Sequence, residues 1–186
     1  MAQQGSVYSL TTPAVLIDEN IVDKNIARVQ KYMDEAGLKA RPHIKTHKIP
    51  VFAKKQLAAG AVGITCQKIS EAQVFADAGI DDILLTFNIM GEEKLEALKA
   101  LHSQITLSVV ADSKQTVDGL AKTFGAERPL RVMVECDTGG QRCGVQTPRE
   151  ATELAQYIAE QPSLMFIGLM TYPIPNAEDD VEAFFE

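Results

Sequence analysis

The chain has 186 residues, 46% of them hydrophobic and 23% charged, with a formal net charge of −7. This is an ordinary soluble composition, long enough for one core or a large part of one. An acidic balance without a basic run or basic–aromatic alternation argues against a nucleic-acid partner. No apolar stretch approaches the ~20 residues that a membrane helix needs. The start, MAQQGSVYSL, has neither a basic nor an apolar signal segment. Three scattered cysteines, Cys66, Cys136 and Cys143, match neither a disulfide framework nor a paired metal spacing. A cytoplasmic protein is the expectation.

In chain order, a strand-like TPAVLID precedes ENIVDKNIARVQKYMDEAGL. There Ile21, Val22, Ile26, Val29 and Met33 recur at helical spacing, and Gly37 is a stop. A rhythm follows. KARPHIK reads as a strand, VFAKKQLAAG as a helix closed by Gly60, and AVGITC as a strand. SEAQVFADAGI is a helix with Ser70 as its cap and Gly79 at its end. DILLTF, ITLSVVA, PLRVMVEC and LMFIGLMTY read as further strands. Between them, GEEKLEALKALH, DSKQTVDGLAKTFG (capped by Asp112 or Ser113) and TPREATELAQYIAE read as helices.

These are six strands from Lys39 to Tyr172, the first five each followed by a helix. Short apolar runs of this kind fit strands buried on both faces, as in a parallel sheet covered by helices. A repeat of about 25 residues fits a (β/α) barrel or a doubly wound sheet. No GxGxxG loop follows the first strand, which weakens a dinucleotide reading. A barrel needs eight strands, and an open six-stranded sheet leaves two bare edges. The expectation is therefore the N-terminal portion of a longer (β/α)8 barrel, cut just inside a helix at AEDDVEAFFE.

Active groups collect at the C-terminal ends of strands in such folds. The run RPHIKTHKIP, Arg41 to Pro50, holds two of the chain's three histidines, His43 and His47, around Lys45. If the run is a strand, His43 and Lys45 share a face. A lysine that loses hydration there becomes a usable amine nucleophile, able to form a Schiff base. The alternative is a solvated loop. A third reading is a metal pair, since His43 and His47 are four apart, but the flanking prolines and β-branched residues argue against the helix it needs. The run ECDTGGQRCG ends a strand in a carboxylate, two glycines and Arg142, which can hold a phenolate, carboxylate or phosphate. It reads equally as a turn with an Asp137–Arg142 surface pair. Tyr172 ends GLMTYP, as a rim residue or a hydrogen-bonding group. Gln67, after ITC, either lines the mouth or is a plain connecting residue before the helix that Ser70 and Glu71 begin.

In this order the segments resemble the fold-type III pyridoxal-phosphate enzymes, the alanine-racemase-like barrels. RPHIKTHK is similar to the signature of the D-threonine aldolase and D-serine dehydratase group. TTPAVLID, CQKISEAQVFADAGI and CDTGGQRCG fit the same pattern, so the likeness runs from about Thr11 to Tyr172. The resemblance implies that Lys45 carries pyridoxal 5'-phosphate and that Arg142 sits near its phenolic oxygen. Tyr172 would take the place of a histidine that racemases set beside the ring. His43, and at the mouth Gln67, would line the cofactor pocket. It also implies a C-terminal β domain holding a divalent metal (Mn, Zn or Mg), and phosphate-gripping loops late in the barrel. Neither lies within these residues, so no metal ligand is assigned.

The implied activity is a lyase acting on β-hydroxy-D-amino acids, with D-threonine aldolase-like cleavage to glycine and an aldehyde favoured slightly by the CQKISEA segment. A D-serine or D-threo-3-hydroxyaspartate dehydratase uses the same half. An amino-acid racemase and a non-catalytic pyridoxal-phosphate carrier are further alternatives. The resemblance implies a homodimer.

Overall fold

The computed structural model describes residues 6–176 and 178–185. The chain builds helix α1 (Glu19–Glu35), α2 (Pro50–Ala59), strand β1 (Ile64–Cys66) and α3 (Ile69–Asp77). It continues with β2 (Asp82–Leu85), α4 (Glu92–His102), β3 (Thr106–Ala111), α5 (Lys114–Thr123), β4 (Leu130–Cys136), α6 (Pro148–Ala159), β5 (Leu164–Thr171) and α7 (Glu178–Phe185). All five strands are parallel, in the order β1-β2-β3-β4-β5. A doubly wound sheet reverses its strand order at a switch point. This one never does, so it winds one way, as part of a barrel does.

Local sequence starts and stops the helices. Asp18 caps α1, its Oδ1 accepting from the Asn20 and Ile21 N–H groups. Ser113 caps α5, and Thr147 with Glu150 forms a reciprocal capping box on α6. Pro50 opens α2, and Gly60 closes it at φ +125°. The expected cap at Ser70 is displaced: α3 starts at Ile69, with Lys68 as its N-cap. Ile83, Leu85, Leu107, Val109, Val132 and Val134 are fully buried, so the central strands form the core. The edge strand β5 departs from the expectation of two-sided burial. Its Met165, Phe166 and Leu169 are exposed: among the described residues no strand pairs beyond it, and α6 and α7 leave a cavity over Phe166 and Leu169.

Two expected strands form differently. TPAVLID is unpaired and exposed. KARPHIK, read as the first of six strands, is reduced to one parallel bridge between His43 and Thr65. Two backbone bonds flank it, Val62 N–H to Ala40 O at 2.9 Å and Thr65 N–H to Pro42 O at 2.8 Å. Pro42 has no N–H to extend the ladder. The His43 imidazole then accepts the Lys45 N–H at 3.2 Å, turning Ile44–Thr46 into a 3-10 turn. The segment still runs alongside β1 and delivers Lys45 to the sheet's C-terminal end. Arg41 anchors it at the other end, donating to Asp82 Oδ1 at 2.8 Å.

All three histidines have lowered pKa values, with burial the leading cause at each. His102 is the most enclosed, 8% exposed. Its Nε2–H donates to Arg128 O at 3.1 Å, while Nδ1 is buried without a partner. A lowered folded-state pKa means that the unfolded chain takes up the proton first. Stability is then complete above the unfolded value near 6.5 and falls as the pH drops below it. The urea midpoint is expected to decline below about pH 6.5, and His102→Gln, which keeps the donor, to make that decline shallower. Urea titrations across the pH range check both.

Candidate functional site

The sheet curls. Lys45 lies outside β1 and Tyr172 follows β5, so in a flat sheet they would be five spacings, roughly 24 Å, apart at ~4.8 Å per strand. Instead the Lys45 Nζ sits 4.9 Å from the centre of the Tyr172 ring. The β4–β5 register shifts between Val132 and Met133, where Gly168 at φ +139° meets Met133. Such a bulge bends a strand and increases its twist. The Arg142 guanidinium carbon lies 4.5 Å from the same ring centre. Lys45, Arg142 and Tyr172, singled out from three separate strand ends, thus meet around one aromatic ring.

The loop after β4 carries Arg142. Asp137 organises it, accepting from the Gln141 N–H at 3.0 Å and the Gln146 amide at 3.2 Å. Burial pushes the Asp137 carboxyl up, but these bonds and the N–H groups of Gly140 and Gly139 outweigh it and hold the group below its usual range. Asp137 is therefore a loop organiser and not the partner of Arg142. The arginine's partner is Glu135, with Nη2 3.7 Å from Oε1. Glu135 ends β4 and is 2% exposed, and its Oε2 is buried without a hydrogen bond. Burial pushes its carboxyl up and Asp112 adds to that, while Arg142 pulls it back down. Glu135, Arg142, Tyr172 and Ile174 line a cleft of about 210 Å³. A complete small-molecule site spans roughly 300–1,000 Å³, so this cleft is one wall of such a site.

The other candidates fall into place around it. The shared strand face expected for His43 and Lys45 does not form, because Lys45 lies in the 3-10 turn. With Nδ1 accepting from the Lys45 N–H, the neutral His43 carries its proton on Nε2, 3.5 Å from Thr86 Oγ1. Burial, then the Lys45 charge, lower its pKa. His47 is structural: its Nδ1 accepts from the Ile49 N–H at 3.0 Å and its ring packs edge-on against Phe52. Gln67 is exposed, and its N–H donates to Glu71 Oε2 at 2.9 Å. Its side chain is not brought to Lys45. Burial pushes the thiols of Cys66 and Cys136 up to about 12 and about 11, which leaves them inert. Among the described residues no three His, Cys, Asp or Glu side chains are grouped to hold a metal, and no helix is long and apolar enough to cross a membrane. A larger cavity of about 650 Å³ between α6, β5 and α7 has no titratable lining.

Sequence reasoning missed Glu135 as a site residue and Thr86 beside His43. The signal for the first was an acidic residue closing an otherwise apolar strand, RVMVEC.

A one-way wound parallel β/α sheet with a lysine at its C-terminal mouth is the architecture of part of a (β/α) barrel. Residues 17–186 match the family described as alanine racemase, N-terminal domain, and the chain belongs to it. It is 36% identical over 173 residues to a D-threonine aldolase from Arthrobacter sp, covering 92% of this chain and 46% of that protein. The crystal structure of D-threonine aldolase from Filomicrobium marinum superimposes with a TM-score of 0.83 at 36% identity, over 86% of this chain and 43% of that one. A D-threo-3-hydroxyaspartate dehydratase mutant in the metal-free form gives 0.80 at 34% identity, over 90% and 45%. The chain thus spans less than half the length of these relatives.

The loop that carries Arg142 depends on Gly144, at φ +111°. A Cβ there would lie 2.5 Å from the Asp137 nitrogen and 2.6 Å from the Cys136 carbonyl carbon. Gly144→Ala is expected to cost about 2 kcal/mol or more. Gly140→Ala, whose Cβ would meet Asp137 Oδ1 at an ordinary 3.6 Å, is expected to stay within about 0.5 kcal/mol. Denaturant unfolding of the two variants checks the contrast.

Proposed function

We propose that this chain is the N-terminal portion of the barrel of a pyridoxal-phosphate-dependent lyase acting on β-hydroxy-D-amino acids, cleaving them as a D-threonine aldolase does. The observation that carries the reading is the convergence of Lys45, Arg142 and Tyr172 at the strand ends, in a chain whose relatives include D-threonine aldolases. The residues suit the cofactor chemically: a half-buried amine, a guanidinium with a single acidic partner among the described residues, and an aromatic ring in reach of both.

When bound, pyridoxal phosphate supplies an electron sink for a carbanion at Cα. Lys45 Nζ would hold it covalently, and Arg142 would face its phenolic oxygen with charged N–H donors. Tyr172 would flank the ring. His43, neutral and half-buried, would form a pocket wall without adding charge. Gln67 remains a residue of the mouth in this proposal. The later barrel strands, the phosphate-binding loops and a β domain with its divalent metal would lie in the remainder of the protein; the dehydratase relative solved in a metal-free form supports the metal. We place the enzyme in the cytoplasm as a homodimer. Three free cysteines without a disulfide fit a reducing compartment.

A second reading is favoured by the likeness to that dehydratase. There Lys45 Nζ would remove the α-proton, and the products would be ammonia and a 2-oxo acid. The test is product analysis of the intact protein with pyridoxal phosphate, a divalent metal and D-threonine. Glycine plus acetaldehyde is expected. Ammonia plus 2-oxobutyrate would establish the dehydratase, and turnover to neither would overturn the lyase reading. Lys45→Ala is expected to lower kcat by ~10³-fold or more.

A further inference from the structure

Glu135 is left over by the roles above, yet it is the most enclosed charged group at the strand ends. It is 2% exposed and stands at the end of β4, the strand that leads into the Arg142 loop. Among the described residues it is the only acid within ion-pair reach of Arg142. A buried carboxylate with one oxygen lacking any hydrogen bond is costly unless a charge compensates it. Arg142 is 3.7 Å away and itself lies over the Tyr172 ring, which Lys45 also approaches. Two cations near one ring repel each other, and Glu135 is placed to offset that repulsion from behind the arginine.

We propose that Glu135 is a positioning residue that tethers Arg142 over Tyr172 and attenuates the arginine's charge at the cofactor end of Lys45. This rests on the pyridoxal-phosphate reading above. Glu135 acts through Arg142 and need not touch the cofactor. The groups facing it are Asp112 at the end of β3, Asp137 and Arg142 of the following loop, and the inert Cys136 beside it. Burial and the Asp112 charge favour a neutral Glu135; Arg142 favours the ion pair. Replacing Glu135 by a neutral isostere unties Arg142 and leaves its guanidinium charge uncompensated beside the attachment point. An uncompensated arginine disfavours a protonated imine there.

The experiment uses the intact protein loaded with pyridoxal phosphate. Attachment to Lys45 is read by borohydride reduction and peptide mass, and the absorbance of the bound cofactor is titrated with pH. In Glu135→Gln the cofactor should still attach, with the titration midpoint lowered by about half a pH unit or more. Glu135→Asp should fall between wild type and E135Q. The double variant E135Q/R142Q should titrate as R142Q alone, because Glu135 acts only through the arginine. A midpoint in E135Q equal to wild type would overturn the proposal, as would additive shifts in the double variant. Should E135Q fail to fold, R142Q and E135D/R142Q carry the test, and separate midpoints for those two overturn it. Absence of a Lys45 attachment in wild type would instead sink the pyridoxal-phosphate reading, and this inference with it.

Discussion

The site exists because the sheet curls enough to bring its two margins together. Lys45, beyond β1, reaches the ring of Tyr172, beyond β5. Each parallel step contributes twist, the bulge at Gly168 adds bend, and the short apolar strands β2 to β4 hold the curvature by burial on both faces. Losing that curvature would leave a lysine and a tyrosine on opposite edges with no common chemistry. A cation at a tyrosine face contributes only about 0.5–2 kcal/mol. The contact reports the curl and does not cause it; the cause is the core.

Charge at the strand ends is arranged in layers. The carboxylates Glu135 and Asp137 lie inside, and the cations Arg142 and Lys45 lie toward the ring. The two acids are two residues apart yet do different work. Asp137 accepts several N–H groups and so stays ionised as the brace of its own loop. Glu135 makes no hydrogen bond with Oε2 and depends on Arg142 for its charge. Gly144 lets the chain fold back close enough for its N–H to reach Asp112 Oδ2 at 3.2 Å. The Val145 N–H next to it returns to Glu135 O at 2.9 Å, so the loop folds back onto the end of β4.

Much of this was legible in the sequence, for identifiable reasons. Apolar runs spaced by helices give a parallel β/α fold, and the rule that chemistry gathers at strand ends picks out Lys45, Arg142 and Tyr172. Barrel and doubly wound sheet could not be separated by periodicity, since both repeat the same unit; the monotonic strand order separates them. RPHIK misled because β-branched residues and prolines mark extended chain but not pairing. Pro42 withholds a donor, and His43 spends its Nδ1 on a turn. Glu135 was invisible as a buried group because its enclosure comes from a loop seven residues long, Asp137 to Cys143, whose path is set by backbone bonds to a side chain. Exposure along β5 was likewise unreadable, since an apolar run looks the same at an edge as at the centre.

Tyrosine at position 172 has a consequence of its own. The resemblance sets this residue where racemases carry a histidine. An imidazole there would gain a positive charge on protonation and would repel both Lys45 and Arg142 at the distances seen around the ring. The face of a phenol ring attracts both cations and gains no positive charge at any pH. With tyrosine in this place the arrangement of the two cations gains no third positive charge as the pH falls.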